Sequence, residues 1–147
     1  MLYDFICNLI IICLLSVMKY KNNPLNIRYN PANNWQGQIE PKRGFCQFCD
    51  LFHGFRAAVR LIIRYRSYGV ITISRIISRW APRSENDTVE YIRRVCSQMK
   101  VESDTKIVSQ DAIYNLLKAM TIVEIGYWND IFEFPLVDAI QRNWPYS

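Results

Sequence analysis

"GFCQFCDLFHGFRAAVRLIIRYRSYG", residues 44–69, decides the fold class, because its hydrophobic period changes partway along. From Gly44 to Phe52 apolar and polar residues alternate, the signature of a strand with one face turned inward. From Gly54 onward Phe55, Ala58, Val59, Ile62 and Ile63 recur at helical spacing, with Arg56, Arg60 and Arg64 on a neighbouring stripe. Gly69 ends that helix. A short strand handing over to an amphipathic helix points to an α+β chain, and the flanking sequence adds mostly helices.

Downstream, "TISRIISRW" (72–80) predicts a second helix, with Thr72 or Ser74 near its cap and Pro82 closing it. Asp87 opens a third, and Glu90 three residues later completes a capping box. Val89, Ile92, Val95 and Cys96 are the positions expected to face inward there. "DAIYNLLKAMTIVEIG" (111–126) reads as a long fourth helix and "FPLVDAIQRNW" (134–144) as a short fifth. Upstream, residues 19–43 read as loop, with one short strand at "LNIRY" (25–29). The expected class is mainly α with a small β element, in one domain spanning residues 18–147.

Residues 1–17 stand apart. The apolar run "FICNLIIICLLSVM" has 14 residues, short of the roughly 20 that a membrane-spanning helix needs. A secretory signal would begin with basic residues and end on a small-x-small site, whereas this start carries Asp4. Ile12 precedes Cys13 where a lipoprotein signal would place a small residue. The segment reads as an over-extended start or a short anchor, with Met18 the natural beginning of the domain. A chain starting at Met18 is expected to keep the thermal midpoint of the full chain, and a loss of several degrees would make the segment a core helix. Membrane contact is expected only through these residues.

Half of the 147 residues are hydrophobic and 14% are aromatic, enough for a real core and against disorder. The net charge is +5, with nine arginines between Arg56 and Arg94. A basic face suits nucleic acid, a membrane surface or an anionic wall polymer. The arginine stripe at 56, 60 and 64 reads more simply as the solvated side of a helix, so no nucleic acid is expected. A nucleic-acid module would instead predict salt-sensitive DNA retention.

The five cysteines are an odd, scattered set and do not make a disulfide framework. Cys46 and Cys49 form a CxxC with His53 nearby, but on a strand positions 46 and 49 point to opposite faces. No second ligand pair completes a zinc site. Neither a bridge nor a bound metal is expected at this pair, and no cofactor is implied. His53 is the sole histidine, and no nucleophile elbow accompanies it.

Two features carry chemistry. "NNPLNIRYNPANNW" (22–35) holds six asparagines around Tyr29 and Trp35, with Pro24 and Pro31 excluding a helix. Asn residues close turns or present amide edges to a partner. Set beside aromatic faces, they suit a neutral, polar ligand such as a sugar or a peptide. The second feature is a pair of carboxylates in contrasting settings. Glu85, in "RWAPRSENDT", precedes a helix N-terminus, which favours its ionised form. Glu124, in "LLKAMTIVEIGYW", sits among apolar residues, which disfavour ionisation and raise the pKa. Carboxyls driven apart in this way suit an acid and a stabilising base in glycosidic cleavage.

"NNPLNIRYNPANNWQGQ", "GFCQFCDLFHGFRAAVRLIIRY", "TISRIISRWAPRSENDTVEYIRRV" and "LLKAMTIVEIG" together resemble, in this order, a family of phage structural proteins. That family looks like the muralytic virion proteins that open peptidoglycan. The resemblance covers roughly residues 20–128. It implies a lysozyme-like fold and a phage or prophage structural protein that acts as a peptidoglycan hydrolase (muramidase, transglycosylase or endopeptidase), lysing the wall at cell entry. By the same resemblance Glu124 is the general acid, Glu85 the second carboxylate, and Asn22, Asn26, Trp35, Trp80 and Asn86 bind substrate. Peptidoglycan and other virion proteins are the implied partners, and the virion or cell envelope the implied location. Two positions depart from the family pattern: Leu25 stands where a Gly is usual and Ile125 where an Asn is usual. They favour the alternative, a non-catalytic virion or wall-binding protein that keeps the cleft.

Overall fold

A computed structural model describes residues 18–84 and 87–145. The 1–17 segment, Glu85 and Asn86 lie outside the described residues. The chain is mainly α with one small sheet. β1 (Gln38–Lys42) and β2 (Phe45–Phe48) form an antiparallel hairpin, followed by α1 (Leu51–Ser67), α2 (Ile73–Trp80), α3 (Thr88–Met99) and α4 (Gln110–Ile125). A 3-10 turn (Asp130–Phe132) leads into α5 (Glu133–Asn143).

β1 lies where sequence reading expected loop. The register pairs Gln38 with Phe48, Ile39 with Gln47 and Lys42 with Phe45, and it slips between Ile39 and Lys42. Pro41 occupies the slip, where a residue without an N–H costs no ladder bond. Arg43 and Gly44 turn the hairpin with φ of 51° and 81°, the left-handed pair of a type I′ turn. The strand expected at 25–29 reduces to a single bridge between Arg28 and Phe45.

α1 begins at Leu51, earlier than the expected Gly54. Asp50 caps it by accepting from the His53 N–H, so Leu51 and Phe52 at the end of the alternating stretch are already helical. Gly54 is therefore an interior residue of α1. A Cβ built there would lie 2.0 Å from the Asn22 carbonyl oxygen, so the bare backbone lets the 22–26 loop seat on the helix. Phe55, Ala58, Val59 and Ile62 are buried as their spacing requires, joined by Ala57.

The later caps follow the sequence closely. Thr72 accepts from the Arg75 N–H, Ser109 from Ala112, and Gly126, at φ 88°, ends α4. Asp87 accepts from the Glu90 N–H. The return half of the expected capping box does not take shape, because the Glu90 carboxylate instead grips Arg93 at 2.6 and 2.7 Å. The inward face of α3 is also rotated. Val89 is 60% exposed, and the buried side chains are Thr88, Tyr91 and Val95.

α1 packs on α5, and α4 packs on α3 and α5. Phe55 meets Phe132 edge-on at 6.1 Å within a core that includes Ile62, Ile77, Leu116, Leu117 and Leu136. No helix among the described residues is long and apolar enough to cross a membrane.

Candidate functional site

α4 carries its buried residues at Ile113, Leu116, Leu117, Met120 and Thr121. The next position on that stripe is 124, so the helix carries the Glu124 carboxyl toward the core rather than toward solvent. α3 lies alongside, and its buried Tyr91 donates its hydroxyl to Glu124 Oε1 at 2.8 Å. From the opposite side Asn26 Nδ2 donates to Oε2 at 2.8 Å. Burial raises the Glu124 pKa above 4.5, and hydrogen bonds from Asn26, Tyr91 and Trp80 partly oppose that rise. Burial, with Glu124 as neighbour, pushes the Tyr91 hydroxyl well above its usual range. A phenol can accept as well as donate, so the pair accommodates either protonation state of the carboxyl.

Glu124 opens on a cleft of about 340 Å³. Asn26 and Ile27 of the opening loop form one rim, and Trp80 and Ala81 at the end of α2 form another. Leu61 and Tyr65 of α1 make the floor, while Asn30 and Asn33 add amide edges. A third wall is aromatic and cationic. Tyr20 and Phe45 stack with centroids 4.2 Å apart, capped by Lys19 and Arg28 at 5.5 and 5.1 Å from the respective rings.

Asn26, Trp80 and Glu124, expected from sequence as site residues, thus meet in one cleft. Asn26 gets there through a left-handed backbone, φ 48°, a conformation Asn tolerates. Leu25 is fully buried, and the left-handed positions of this loop are Asn22 and Asn26. Two further expected binders, Asn22 and Trp35, hold the scaffold. Asn22 is 7% exposed and donates to the Phe48 carbonyl at 2.9 Å. Trp35 is 8% exposed and packs in the core, with the Arg64 guanidinium 5.6 Å from its ring. Arg64 in turn donates to Asn33 at 3.1 Å, so Trp35 supports the rim from below. Glu85 and Asn86 lie outside the described residues; in sequence they follow Trp80 and Ala81 within a few positions.

Sequence reading missed Tyr91, Tyr65 and the Tyr20–Phe45 stack. The signal for Tyr91 was present in the spacing of Thr88, Tyr91 and Val95, at i, i+3 and i+7. Tyr91→Phe removes a hydrogen bond that favours the charged carboxylate, so the Glu124 pKa should rise further. Carboxyl ¹³C titration of wild type and variant checks this, and superimposable curves would remove Tyr91 from the account.

No family model matches this sequence. Over 110 residues it is 34% identical to "Protein P5" of Pseudoalteromonas phage PM2, a match taking in 71% of this chain and 68% of that protein. The chain belongs to the protein P5 family. The P5 relationship supports a phage structural protein. Of the CxxC pair, Cys46 on β2 is buried and Cys49 just beyond it is exposed, and both are free thiols. Burial raises the Cys46 thiol to about 11, which makes it a packed and unreactive group.

Proposed function

We propose that this member of the P5 family is a phage structural protein that cleaves peptidoglycan, using a lysozyme-like cleft with Glu124 as proton donor. The observation that carries the reading is the Glu124 carboxyl, partly buried, raised in pKa and open to a cleft edged by amides and aromatic rings. A general acid needs a carboxyl still protonated near the working pH. Amide edges and ring faces suit a glycan, which is neutral along its chain and offers both hydroxyls and apolar ring faces.

In the proposed reaction Glu124 gives its proton to the glycosidic oxygen as the bond from that oxygen to the anomeric carbon breaks. Positive charge develops on the sugar ring, and Glu85 is the carboxylate assigned to stabilise it or to activate the water that completes hydrolysis. Asn26 keeps Glu124 pointed into the cleft, and Trp80 offers a ring wall to the sugar. Asn22 and Trp35 act by holding the rim in place, and Asn86 by its position beside Glu85. The virion is the setting in which such an activity serves a phage.

A second reading rests on a specific observation. Both Glu124 oxygens are already engaged, by Asn26 and Tyr91, as suits a carboxyl kept for structure in a wall-binding virion protein. Purified sacculi separate the two. Hydrolysis lowers turbidity and releases soluble fragments, whereas a binding protein sediments with intact sacculi and releases none.

A further inference from the structure

Away from the cleft, the turn from β2 into α1 gathers three ligand-bearing side chains. Cys49 Sγ lies 3.4 Å from His53 Nδ1 and 3.8 Å from Asp50 Oδ2, and His53 Nδ1 lies 2.7 Å from Asp50 Oδ1. All three groups bring a ligand atom within 4.8 Å of the others. Metal–ligand bonds of about 2.0–2.3 Å in a tetrahedral zinc centre imply ligand-to-ligand edges of roughly 3.3–3.8 Å. The two sulfur edges match that span, and the shorter 2.7 Å contact between His53 Nδ1 and Asp50 Oδ1 is a hydrogen bond that the cation would replace.

One residue positions two of these groups. Gly37 has φ +73°, and a Cβ there would sit 2.3 Å from His53 Cγ, so the imidazole rests directly against the glycine backbone. The Gly37 carbonyl also accepts from the Cys49 N–H at 2.9 Å. Phe52 meets the imidazole edge-on at 5.1 Å. Asp50 is fixed by its capping bond from Oδ1 to the His53 N–H at 2.9 Å, which leaves Oδ2 turned toward the sulfur.

We propose that Cys49, Asp50 and His53 form a three-ligand site for a borderline-soft divalent cation of the zinc class, with its fourth position open to solvent. Thiolate plus imidazole selects against magnesium and calcium, which take oxygen ligands. Thiolate and carboxylate together neutralise the dication, which offsets the unfavourable positive end of α1. On binding, the thiol releases its proton to solvent, the hydrogen bond between His53 Nδ1 and Asp50 Oδ1 is given up, and the imidazole carries its single proton on Nε2. The cation would pin the hairpin to α1 at the point where Asn22, through Phe48 and Gly54, anchors the cleft loop.

Cobalt(II) titration of the full chain tests this, because a cobalt–thiolate bond gives a near-ultraviolet charge-transfer band. One equivalent should saturate the band in wild type, and one equivalent of zinc should raise the thermal midpoint. Cys49→Ser alters an exposed side chain, so folding should persist by circular dichroism. It should abolish the band and weaken binding more than about 100-fold, beyond what loss of an outer hydrogen-bond partner costs. Cys7, Cys13, Cys46 and Cys96 remain in that variant, so a band that survives there overturns the proposal. Absence of a band from wild type overturns it equally.

Discussion

Glu124→Gln should lower the lysis of purified sacculi by about 10²–10⁴-fold, the usual contribution of a positioned general acid. Its fold should be intact. Glutamine keeps the shape and the acceptor oxygen but has no acidic proton, so the two interactions with Asn26 and Tyr91 are largely retained. The pH dependence of stability supplies an independent check. Burial raises the Glu124 pKa above its ordinary 4.5, so in the window above that value the folded chain holds a proton that the unfolded chain has lost. The stability this gives is complete below pH 4.5 and fades as pH rises through the folded pKa. Glutamine does not titrate. The variant's thermal midpoint relative to wild type should therefore climb between acidic and neutral pH. A variant as lytic as wild type would remove Glu124 from catalysis, and Glu85→Gln would then be the change to examine.

Gly54→Ala should destabilise the chain by about 1–3 kcal/mol or more, an overpacking cost. The sign is the decisive part. In an open helical position the same change stabilises by roughly 0.5–1 kcal/mol. Here the added methyl meets the Asn22 carbonyl oxygen at 2.0 Å, and that atom belongs to backbone. The helix or the 22–26 loop has to move. Movement of the loop also carries Asn26 away from Glu124, so lysis should fall in the fraction that remains folded. Urea unfolding measures the first effect, and activity per folded molecule the second. A midpoint equal to or above wild type would contradict this packing.

Much of the helical frame was legible because short-range chemistry determines it. Thr72 and Asp87 each cap a helix through the residue three ahead, and Gly126 stops α4 just beyond Glu124. Those signals need no tertiary context. The errors fall where two local signals compete. Leu51 and Phe52 continue the alternation of β2, yet the Asp50 cap has already started α1. Val89 and Tyr91 are both plausible inward residues, and the α4 neighbour decides for Tyr91 because Glu124 supplies a partner for its hydroxyl. Pro41 masked β1, since a proline inside five residues argues against a strand unless the ladder slips there.

The cleft was partly legible for the same reason. Glu124 could be found from its apolar setting and Asn26 from its loop. Trp35 could not be placed, because an indole next to amides looks alike whether it faces a ligand or the core. Only its burial within the core cluster distinguishes the two.

Mass analysis of what the chain releases from purified sacculi separates glycan cleavage from binding. Glycan hydrolysis at the Glu124 cleft predicts soluble muropeptides that carry a newly exposed reducing-end sugar and the mass of one added water, formed about 10²–10⁴-fold more slowly by Glu124→Gln. Sacculi that bind the chain and sediment whole, or fragments cut only in their peptides, would contradict it.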